Sequence, residues 1–419
     1  MNKLLKQLFT RWLASKLRIS WQLLKYKIKF ALSSKSPKVE VYLALNDPYS
    51  FVLVQLLPRL QERYNISFEV FLIANANNEM VANHALWQQW AVVDANQLAT
   101  RYDLIKINKL PEAHYIETGQ QEWLLQPKTI ENALDIFKKT WLEEFNEFYA
   151  LSTPVINSLV NNQYRQKVKG HYLPATMRFA GEWFWGVDRL NHLESKLSLF
   201  SLGNSKASSL FTKTQLNLSG LTTLDDNQPI HVYVSLRSPY SYLGFVQAQR
   251  LAQHYKRKLD IHLVMPMVMR GMKVSRNKQK YIFTDAVREA RLKDIPFGKF
   301  ADPIGPGILN SYQFFSYAKY IGRAEDYIAA MFKAIYVDGI DLSRADTVQS
   351  ICRDIGLDIE AAVNYANHDN WQTTIEKTAD KLQEQGFWGV PVFTCGDIAC
   401  WGQDRLWQIE QAILEISDS

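Results

Sequence analysis

The chain repeats one pattern of apolar and polar positions at an interval of 191 residues. Residues 41–73 and residues 232–264 align without a gap, and each begins with a short run of β-branched and aromatic side chains. A turn, an amphipathic segment of about four helical turns and a second apolar run follow in both. This order predicts a βαβ unit in each half of the chain, with parallel strands and a right-handed crossover.

The ends of the two halves repeat as well, at an interval that has grown to 216 residues. Residues 171–193 correspond to residues 388–409, and each segment holds a strand that starts at a proline, a tight turn, a second strand and the motif W-G-x-D-R-L at the start of a last helix. Because proline is kept out of central strands, we expect a cis X-Pro turn at Pro174 and at Pro391. The two hairpin turns are expected at Ala180-Gly181 and Gly396-Asp397.

Between these ends lies helix-rich sequence, and the second half holds more of it because the interval grows. Each half therefore reads β-α-β, a helical insertion, then β-β-α, which is a thioredoxin-like order. We expect an α/β protein with two tandem thioredoxin-like domains, a diverged one at residues 38–200 and another at residues 230–419. Residues 201–229 are polar with weak periodicity and are predicted to be a linker.

Residues 1–37 have the pattern of a basic amphipathic helix. No apolar run in them approaches the ~20 residues that span a bilayer, and the charges disrupt any signal-peptide core. Two interpretations stay open. Residues 1–36 lie on an anionic membrane surface with their aromatic side chains inserted, or they pack against the body or a second subunit. The apolar positions on one side of this helix are Leu5, Phe9, Trp12, Leu13, Leu17, Trp21, Leu24 and Ile28.

Charge is unevenly distributed along the 419 residues, whose net charge is +6. Residues 1–38 hold ten basic side chains and no acidic one, which leaves 38 basic against 42 acidic residues and a net charge of −4 for the rest. A mildly acidic body argues against nucleic-acid binding, which needs a basic face. The length fits two domains, and we expect a cytoplasmic protein.

The sequence gives little support for redox or metal chemistry. Its three cysteines, Cys352, Cys395 and Cys400, are too few for a disulfide scaffold, and C-x-x-C is absent. No P-loop, G-x-G-x-x-G or H-E-x-x-H occurs, and the histidines are scattered, so no metal site is predicted. Cys395 and Cys400 flank the second hairpin turn; a disulfide could join them, but two buried thiols are the preferred interpretation.

The turn after the first strand of each βαβ unit differs at one position between the halves. The chain reads NDPYSFVLV at residues 46–54 and RSPYSYLGF at residues 237–245, so Asp47 stands where Ser238 stands. Serine or aspartate before a proline is a common helix start, and capping alone explains both residues. The alternative is that Ser238 supplies a catalytic hydroxyl.

Four motifs of the second half follow one another in a specific order and spacing. They are RSPYSYLGF (237–245), KYIFTDAVREARLKDIPF (280–297), GFWGVPVF (386–393) and WGQDRL (401–406). Together they resemble the kappa-class glutathione transferases and the related 2-hydroxychromene-2-carboxylate isomerases, which belong to the DsbA-like branch of the thioredoxin fold. The resemblance is close over residues 230–416 and weaker over residues 38–198, as a second copy. It implies a glutathione-dependent isomerase or transferase acting on a small aromatic electrophile.

The resemblance also implies a set of site residues. Ser238 would donate a hydrogen bond to the sulfur of glutathione, and the helix N-terminus behind it would further favour the thiolate. The backbone at Val390, before Pro391, would pair with the cysteinyl group, and Lys278 would lie near the glycyl carboxylate. The remaining implied cofactor contacts are Tyr240 and, at the γ-glutamyl end, Gln403, Asp404 and Arg405, with Asp404 facing the ammonium.

The sequence departs from that family pattern in two places. The family's glycine-asparagine loop upstream of Lys278 is shortened to residues 265–274, which contain no asparagine. Asp47 would repel a thiolate, so we expect the second half to be the active copy. A non-catalytic thioredoxin-like scaffold at a membrane surface is an alternative function. A DsbA-like thiol–disulfide oxidoreductase is a second alternative, although Ser238 replaces the redox cysteine.

Overall fold

The computed structural model describes residues 10–13, 15–33, 37–74, 84–203, 209–211, 216–219 and 228–417. The chain divides into two compact units, which we treat separately. Ile19–Lys213 forms one unit, called the first half below, and Met1–Arg18 joins Thr214–Ser419 in the other, called the second half.

The first half contains a four-stranded mixed sheet with helices around it. Its strands are β1 (Lys38–Leu43), β2 (Ser67–Leu72), β3 (Thr176–Phe179) and β4 (Glu182–Trp185). Its helices are α1 (Lys16–Ala31, which begins before the boundary), α2 (Pro48–Arg63), α3 (His84–Tyr102), α4 (Ala113–Leu125), α5 (Ile130–Trp141), α6 (Thr153–Lys169) and α7 (Leu190–Leu199).

The second half has the same arrangement with more helices between its second and third strands. Its strands are β5 (Ile230–Val234), β6 (Leu259–Leu263), β7 (Val392–Cys395) and β8 (Ile398–Trp401). Its helices are α8 (Pro239–His254), α9 (Arg276–Leu292), α10 (Pro306–Tyr312), α11 (Phe315–Tyr320), α12 (Ala324–Tyr336), α13 (Ala345–Asp354), α14 (Ile359–His368), α15 (Trp371–Glu384) and α16 (Leu406–Ser417).

The two sheets have the same topology and the same register. Their strand orders are β2-β1-β3-β4 and β6-β5-β7-β8, with the first pair parallel and the others antiparallel. Val41 lies opposite Met177 in one sheet, and Val232 lies opposite Phe393 in the other. These pairs are related by the sequence intervals of 191 and 216 residues. The predicted thioredoxin-like order is therefore confirmed, and the matching strand pairs of the second sheet support the internal duplication.

Apolar side chains from matching positions fill the core of each half. In the first half, Val41 and Leu53 pack with Met177, and all three are fully buried. In the second half, Val232 and Phe393 are buried in the same way. Each core is closed by the helix after the first strand, which turns its apolar stripe towards the sheet.

In each half, a buried glutamate accepts hydrogen bonds from the backbone of the connecting segment, residues 201–229. Glu194, on α7, accepts hydrogen bonds from the backbone N–H groups of Leu210 (3.0 Å) and Phe211 (2.8 Å) and from the hydroxyl of Tyr64 (2.9 Å). A carboxylate can accept several hydrogen bonds, so this one side chain satisfies both backbone donors.

The second half repeats the arrangement at the corresponding positions. Glu410, on α16, accepts from the N–H groups of Asn217 (2.7 Å) and Leu218 (2.5 Å) and from the hydroxyl of Tyr255 (3.2 Å). Most of the predicted linker at residues 201–229 otherwise lies outside the described residues.

The described part of residues 1–37, called the N-terminal arm below, differs from the single helix that the sequence predicts. Residues 10–13 form a helical turn, and α1 starts only after Ser15. Leu13 is buried beside Phe283 and Val287 of the second half, so it does not share the exposed stripe. Leu5 and Phe9, which the prediction also placed on the stripe, lie outside the described residues. Within the described part of the chain, no helix is both long and apolar enough to cross a bilayer.

The two predicted proline turns are not equivalent. The Val390–Pro391 peptide bond is cis, whereas among the described residues the bond before Pro174 is not. The expectation of a cis bond was therefore wrong for the first half. Both hairpins turn at the predicted residues, and their strands pair from Phe179 to Glu182 and from Cys395 to Ile398.

Candidate active site

The turn before α8 places Ser238 at the N-terminus of that helix. Pro239 occupies the first helical position, where its missing N–H leaves no donor unsatisfied. The hydroxyl of Ser241 accepts a hydrogen bond from the backbone N–H of Ser235 (3.2 Å), which ties the helix start to the end of β5. The first half uses Ser50 in the same way, with the N–H of Ala44 at 3.1 Å. The two turns therefore share one construction.

The hydroxyl of Ser238 makes two hydrogen bonds, and the residue is half-buried. Its oxygen accepts from the N–H of Ser241 at 3.1 Å, which is the predicted capping bond. Its proton is directed at the carbonyl of Val390, 3.4 Å away, next to Pro391. A distance of 3.4 Å is long for an O–H donor, so a stronger acceptor at this place can take over the proton.

Helix α8 lies close against the strand that follows Pro391 because Gly244 has no side chain. A Cβ at Gly244 would stand 2.6 Å from the ring of Phe393 and 3.2 Å from the ring of Pro391. This close approach brings the start of α8 and the Val390–Pro391 segment together, as the sequence predicts for Ser238, Val390 and Pro391.

Asp47 occupies the corresponding position in the first half, but it is more deeply buried than Ser238. Its carboxylate accepts from the N–H (2.8 Å) and the hydroxyl (2.6 Å) of Ser50, and only 5% of the residue is exposed. Burial raises the pKa of Asp47 to about 6. This carboxylate caps its helix as predicted, but it has neither the exposure nor the permanent proton of Ser238.

Lys278 lies in the first turn of α9, and within the described residues its ammonium has no hydrogen bond or ion pair. Burial lowers the pKa of Lys278 to about 8. Because a desolvated cation is stabilised by an opposite charge, Lys278 can bind an anionic group of a ligand.

The side chain of Tyr240 is hydrogen-bonded to helix α9. Its hydroxyl donates a hydrogen bond to the buried carboxylate of Asp285 on α9, at 2.7 Å. Arg288, one turn further along α9, pairs with the same carboxylate. Tyr240 therefore fixes the start of α8 against α9, the helix that carries Lys278.

Gln403 is almost completely buried and belongs to a polar network. Its side-chain oxygen accepts from Gln247 at 3.0 Å and also from the ammonium of Lys293. Lys293 pairs with Glu289 at 3.1 Å, and it lies 3.7 Å from the carboxylate of Asp404. The side chain of Gln403 thus positions Asp404 and does not face an open site.

Asp404 is half-buried and Arg405 is buried, and both precede the last helix. The predicted W-G-x-D-R-L motif does not open that helix, which begins only at its leucine, Leu406 or Leu190. The guanidinium of Arg405 donates to the carbonyl of Asp404 (3.5 Å), and Arg189 does the same to Asp188 (3.2 Å). Since the first half keeps this turn, the motif alone does not mark a ligand site.

Three residues of this network, Gln247, Glu289 and Lys293, were missed by sequence reasoning. Gln247 lies on α8, Glu289 lies on α9 and Lys293 directly follows α9; all are far from Gln403 in sequence, and no spacing links them to it. The three cysteines are all buried, and none forms a disulfide. None is therefore placed to exchange disulfides with another protein, and the preferred interpretation of Cys395 and Cys400 as buried thiols is confirmed.

Residues 229–414 match the family model of the DSBA-like thioredoxin domain. The second half is thus a DsbA-like thioredoxin domain, as the four motifs predicted. A 2-hydroxychromene-2-carboxylate isomerase of Pseudomonas sp. (strain C18) is 26% identical over an alignment of 195 residues, and the match covers 44% of this chain and 89% of that protein.

Two solved structures are also similar. A 2-hydroxychromene-2-carboxylate isomerase has a TM-score of 0.40 and 22% identity, and the match covers 45% of this chain and 95% of that one. The cytosolic disulfide reductase DsbM from Pseudomonas aeruginosa, solved with GSH, has a TM-score of 0.35 and 14% identity, with coverage of 45% and 97%.

Proposed function

We propose that the second half binds glutathione at Ser238 and works as a glutathione-dependent isomerase or transferase on a small aromatic electrophile. The observation that carries this proposal is the hydroxyl of the half-buried Ser238 at the N-terminus of α8, with its proton only loosely held by Val390. The relatives named 2-hydroxychromene-2-carboxylate isomerase support a reaction of that class.

A thiolate at Ser238 would be favoured by two effects. The hydroxyl can move its proton from the carbonyl of Val390 to the sulfur, and a charge-assisted bond of this kind is about twice as strong as a neutral one. The N-terminus of α8 adds a positive potential. Both effects lower the thiol pKa from its free value of about 8.5, so more of the cofactor is nucleophilic at neutral pH.

The reaction we propose begins when the thiolate attacks an electrophilic carbon of a conjugated substrate. A C–S bond forms, and the electron pair of the double bond moves onto the conjugated acceptor. Rotation then takes place about the new single bond. In an isomerase the pair returns, the C–S bond breaks and glutathione is regenerated; in a transferase the adduct leaves as product.

The other cofactor contacts follow the same proposal. Lys278 would bind the glycyl carboxylate, because its ammonium is desolvated and lacks a counter-ion in the described part of the chain. Val390 would pair its backbone with the cysteinyl group beside Pro391. Asp404, held by Lys293, would face the γ-glutamyl ammonium. Tyr240, Gln403 and Arg405 would position these groups without holding the cofactor through their side chains.

Calorimetric titration of glutathione into the full-length protein tests this proposal. We expect saturable binding by the wild type and by Ser238→Thr, which keeps the hydroxyl. Ser238→Asp copies the cap that Asp47 already provides, so the helix stays capped while the donor is lost. We expect roughly 10–100-fold weaker binding by this variant, since a hydrogen bond to a charged group contributes about 1.5–3 kcal/mol.

The thiolate absorbance of bound glutathione gives a second readout. We expect the wild type to lower the thiol pKa and Ser238→Asp to raise it by repulsion. If Ser238→Asp binds as tightly as the wild type, Ser238 is not the sulfur donor. If the wild type does not bind glutathione, the enzyme proposal fails and the scaffold alternative takes its place.

We also propose that α1 attaches the protein peripherally to an anionic membrane surface in the cytoplasm. The inner face of α1 packs on the first half: Gln22 donates to the carbonyl of Ala180 (3.1 Å), and Phe30 stacks on Phe179 (5.7 Å between ring centroids). Packing against the body, one of the two predicted alternatives, is therefore present.

The outer face of the same helix is nevertheless apolar. Trp21, Leu24 and Ile28 are 71%, 50% and 52% exposed at spacings of three and four residues, which align them on one stripe. Lys25 and Lys29 are exposed nearby on the same helix. An apolar stripe with basic neighbours is the composition that binds an anionic interface.

A further inference from the structure

Two histidines and an aspartate, none of them part of the candidate active site, meet on one face of the second sheet. His231 on β5 lies directly opposite Asp260 on β6, and His262 follows Asp260 by two residues. Side chains two apart on a strand point to the same face, so all three lie together. Their side chains are 35%, 31% and 24% exposed, in the order His231, Asp260, His262, which leaves the cluster open to solvent.

Three donor atoms of this cluster form a small triangle. Nδ1 of His231 and Nε2 of His262 each lie 3.0 Å from Oδ2 of Asp260, and the two nitrogens are 3.2 Å apart. Zinc binds imidazole and carboxylate at about 2.0–2.2 Å in tetrahedral sites, which keeps the donor atoms about 3.3–3.6 Å apart. The triangle needs to widen by only a few tenths of an ångström to hold such an ion.

The neighbours of the triangle orient its members. Lys319 on α11 donates to Oδ1 of Asp260 at 2.6 Å, which occupies that oxygen and leaves Oδ2 directed at the two rings. The ring of His262 stacks on Tyr233, with 4.6 Å between centroids and 16° between planes. Outer contacts of this kind are typical of metal ligands.

The first half shows what the same face looks like as an ordinary ion-pair cluster. Glu40 stands at the position of His231, and it is surrounded by Lys169, Arg165 and Arg178. Glu69, at the position of Asp260, pairs with Arg165 at 3.8 Å. There the carboxylates are matched by cations.

The second half keeps one such pair, between Lys319 and Asp260, and places two imidazoles beside the same carboxylate. Nδ1 of His231 and Nε2 of His262 face each other at 3.2 Å, and their N–H groups repel each other if both nitrogens carry a proton. A cation shared by all three atoms removes that conflict.

We propose that His231, Asp260 and His262 bind a zinc ion as three protein ligands, with a fourth position open to water. Two imidazoles and one carboxylate favour zinc and its late first-row neighbours over magnesium or calcium. This inference does not depend on glutathione binding.

Zinc titration of the full-length, tag-free protein, first stripped with a chelator, tests the site. We expect one zinc ion per chain in the wild type, counted by elemental analysis after gel filtration. His231→Gln, Asp260→Asn and His262→Gln should each weaken binding at least tenfold, because each removes one of the three protein ligands. His368→Gln removes an exposed histidine on α14 and is the matched control.

Melting curves provide a readout that separates binding from misfolding. Zinc should raise the melting temperature of the wild type and of His368→Gln, and it should leave the three ligand variants unchanged although they melt cooperatively without zinc. The proposal is overturned if the wild type binds less than one equivalent. It is also overturned if the three ligand variants keep wild-type affinity.

Discussion

Ser238 and Asp47 cap their helices in the same way, but a hydroxyl and a carboxylate differ in the hydrogen bonds that they can offer to a ligand. Both residues accept the capping hydrogen bond from the serine three positions on. A hydroxyl keeps a proton that it can still donate, whereas an ionised carboxylate only accepts. Asp47 is moreover buried at 5% exposure, so its negative charge is desolvated. The cap is therefore common to both halves, and the chemistry we propose is specific to Ser238.

The buried carboxyl of Asp47 predicts a pH-dependent stability. Its folded-state pKa of about 6 lies above the ordinary value of 3.8. Between pH about 4 and about 6 the folded state keeps a proton that the unfolded chain releases, so this group's contribution to stability falls as pH rises and is constant above that window. A raised pKa of this size corresponds to about 3 kcal/mol.

Asp47→Ser should therefore stabilise the first half by about 1–2 kcal/mol at pH 8, because the serine keeps the cap and removes the buried charge. At pH 4 the gain should disappear. Urea unfolding at both pH values measures the effect, and Asp358→Ser, at an exposed cap of α14, controls for exchange of the capping residue. An Asp47→Ser variant that is less stable than the wild type at pH 8 would contradict the argument.

Lys278 predicts how ligand binding depends on pH. Its pKa of about 8 means that the ammonium is charged at pH 7 and largely neutral at pH 9. Affinity for S-methylglutathione, which has no thiol to titrate, should fall about tenfold between these values. Lys278→Arg keeps its charge over this range and should show a flatter profile. Parallel profiles for the wild type and Lys278→Arg would show that Lys278 does not bind the ligand.

At the scale of elements, the connecting segment depends on Glu410 in the second half. Glu410→Gln keeps one oxygen and loses the charge, so the hydrogen bonds to Asn217 and Leu218 should weaken by about 1.5–3 kcal/mol in total. Amide hydrogen exchange at these two residues should become about 10–100-fold faster. Glu415→Gln, on the exposed side of the same helix, is the control. Unchanged exchange in Glu410→Gln would show that the segment is held by other contacts.

The strands and the helices next to them could be predicted from the sequence, because the chain shows their pattern twice, once in each half. The interval of 191 residues maps α2 onto α8 residue for residue, and the interval of 216 residues maps β3 onto β7. The break in the arm at Ser15 could not be predicted, since helical spacing continues across it. Leu13 leaves the stripe because it packs on Phe283 in the second half.

The candidate site was predicted only where its residues are close in sequence or follow a family motif. Ser238 and the Val390–Pro391 segment meet as expected. The side chain of Gln403 is buried because Gln247 and Lys293 bind it, and this contact joins residues more than 100 positions apart. The meeting of His231 and Asp260 depends on strand register, which no local spacing encodes.

At the scale of the whole molecule, we propose that the two duplicated domains carry different tasks. The second half has the hydroxyl of the half-buried Ser238 and the desolvated Lys278. The first half has the buried Asp47 and binds the inner face of α1. This division places the proposed membrane contact on one copy and the proposed chemistry on the other, and each can be removed by substitutions that leave the other intact.

Vesicle sedimentation of the full-length protein measures the membrane contact. We expect binding to vesicles with anionic lipid and little binding to neutral ones. Lys25→Gln/Lys29→Gln should lower partitioning roughly 30-fold, because each lysine near an anionic surface contributes about 1 kcal/mol. Trp21→Ser/Leu24→Ser/Ile28→Ser should lower it at least tenfold by removing the inserted side chains.

The control for this experiment must remove exposed apolar area elsewhere on the first half. Val93→Ser/Leu125→Ser does so at positions that are 52% and 78% exposed on α3 and α4. We expect this variant to bind vesicles like the wild type, since apolar exposure without the basic helix gives no attraction to the lipid headgroups. If all three variants and the wild type sediment equally, the stripe on α1 is not a membrane surface. If the lysine variant and the stripe variant sediment less than the wild type and the control, and all four proteins bind glutathione equally, then membrane attachment and glutathione binding are separate properties of the two halves.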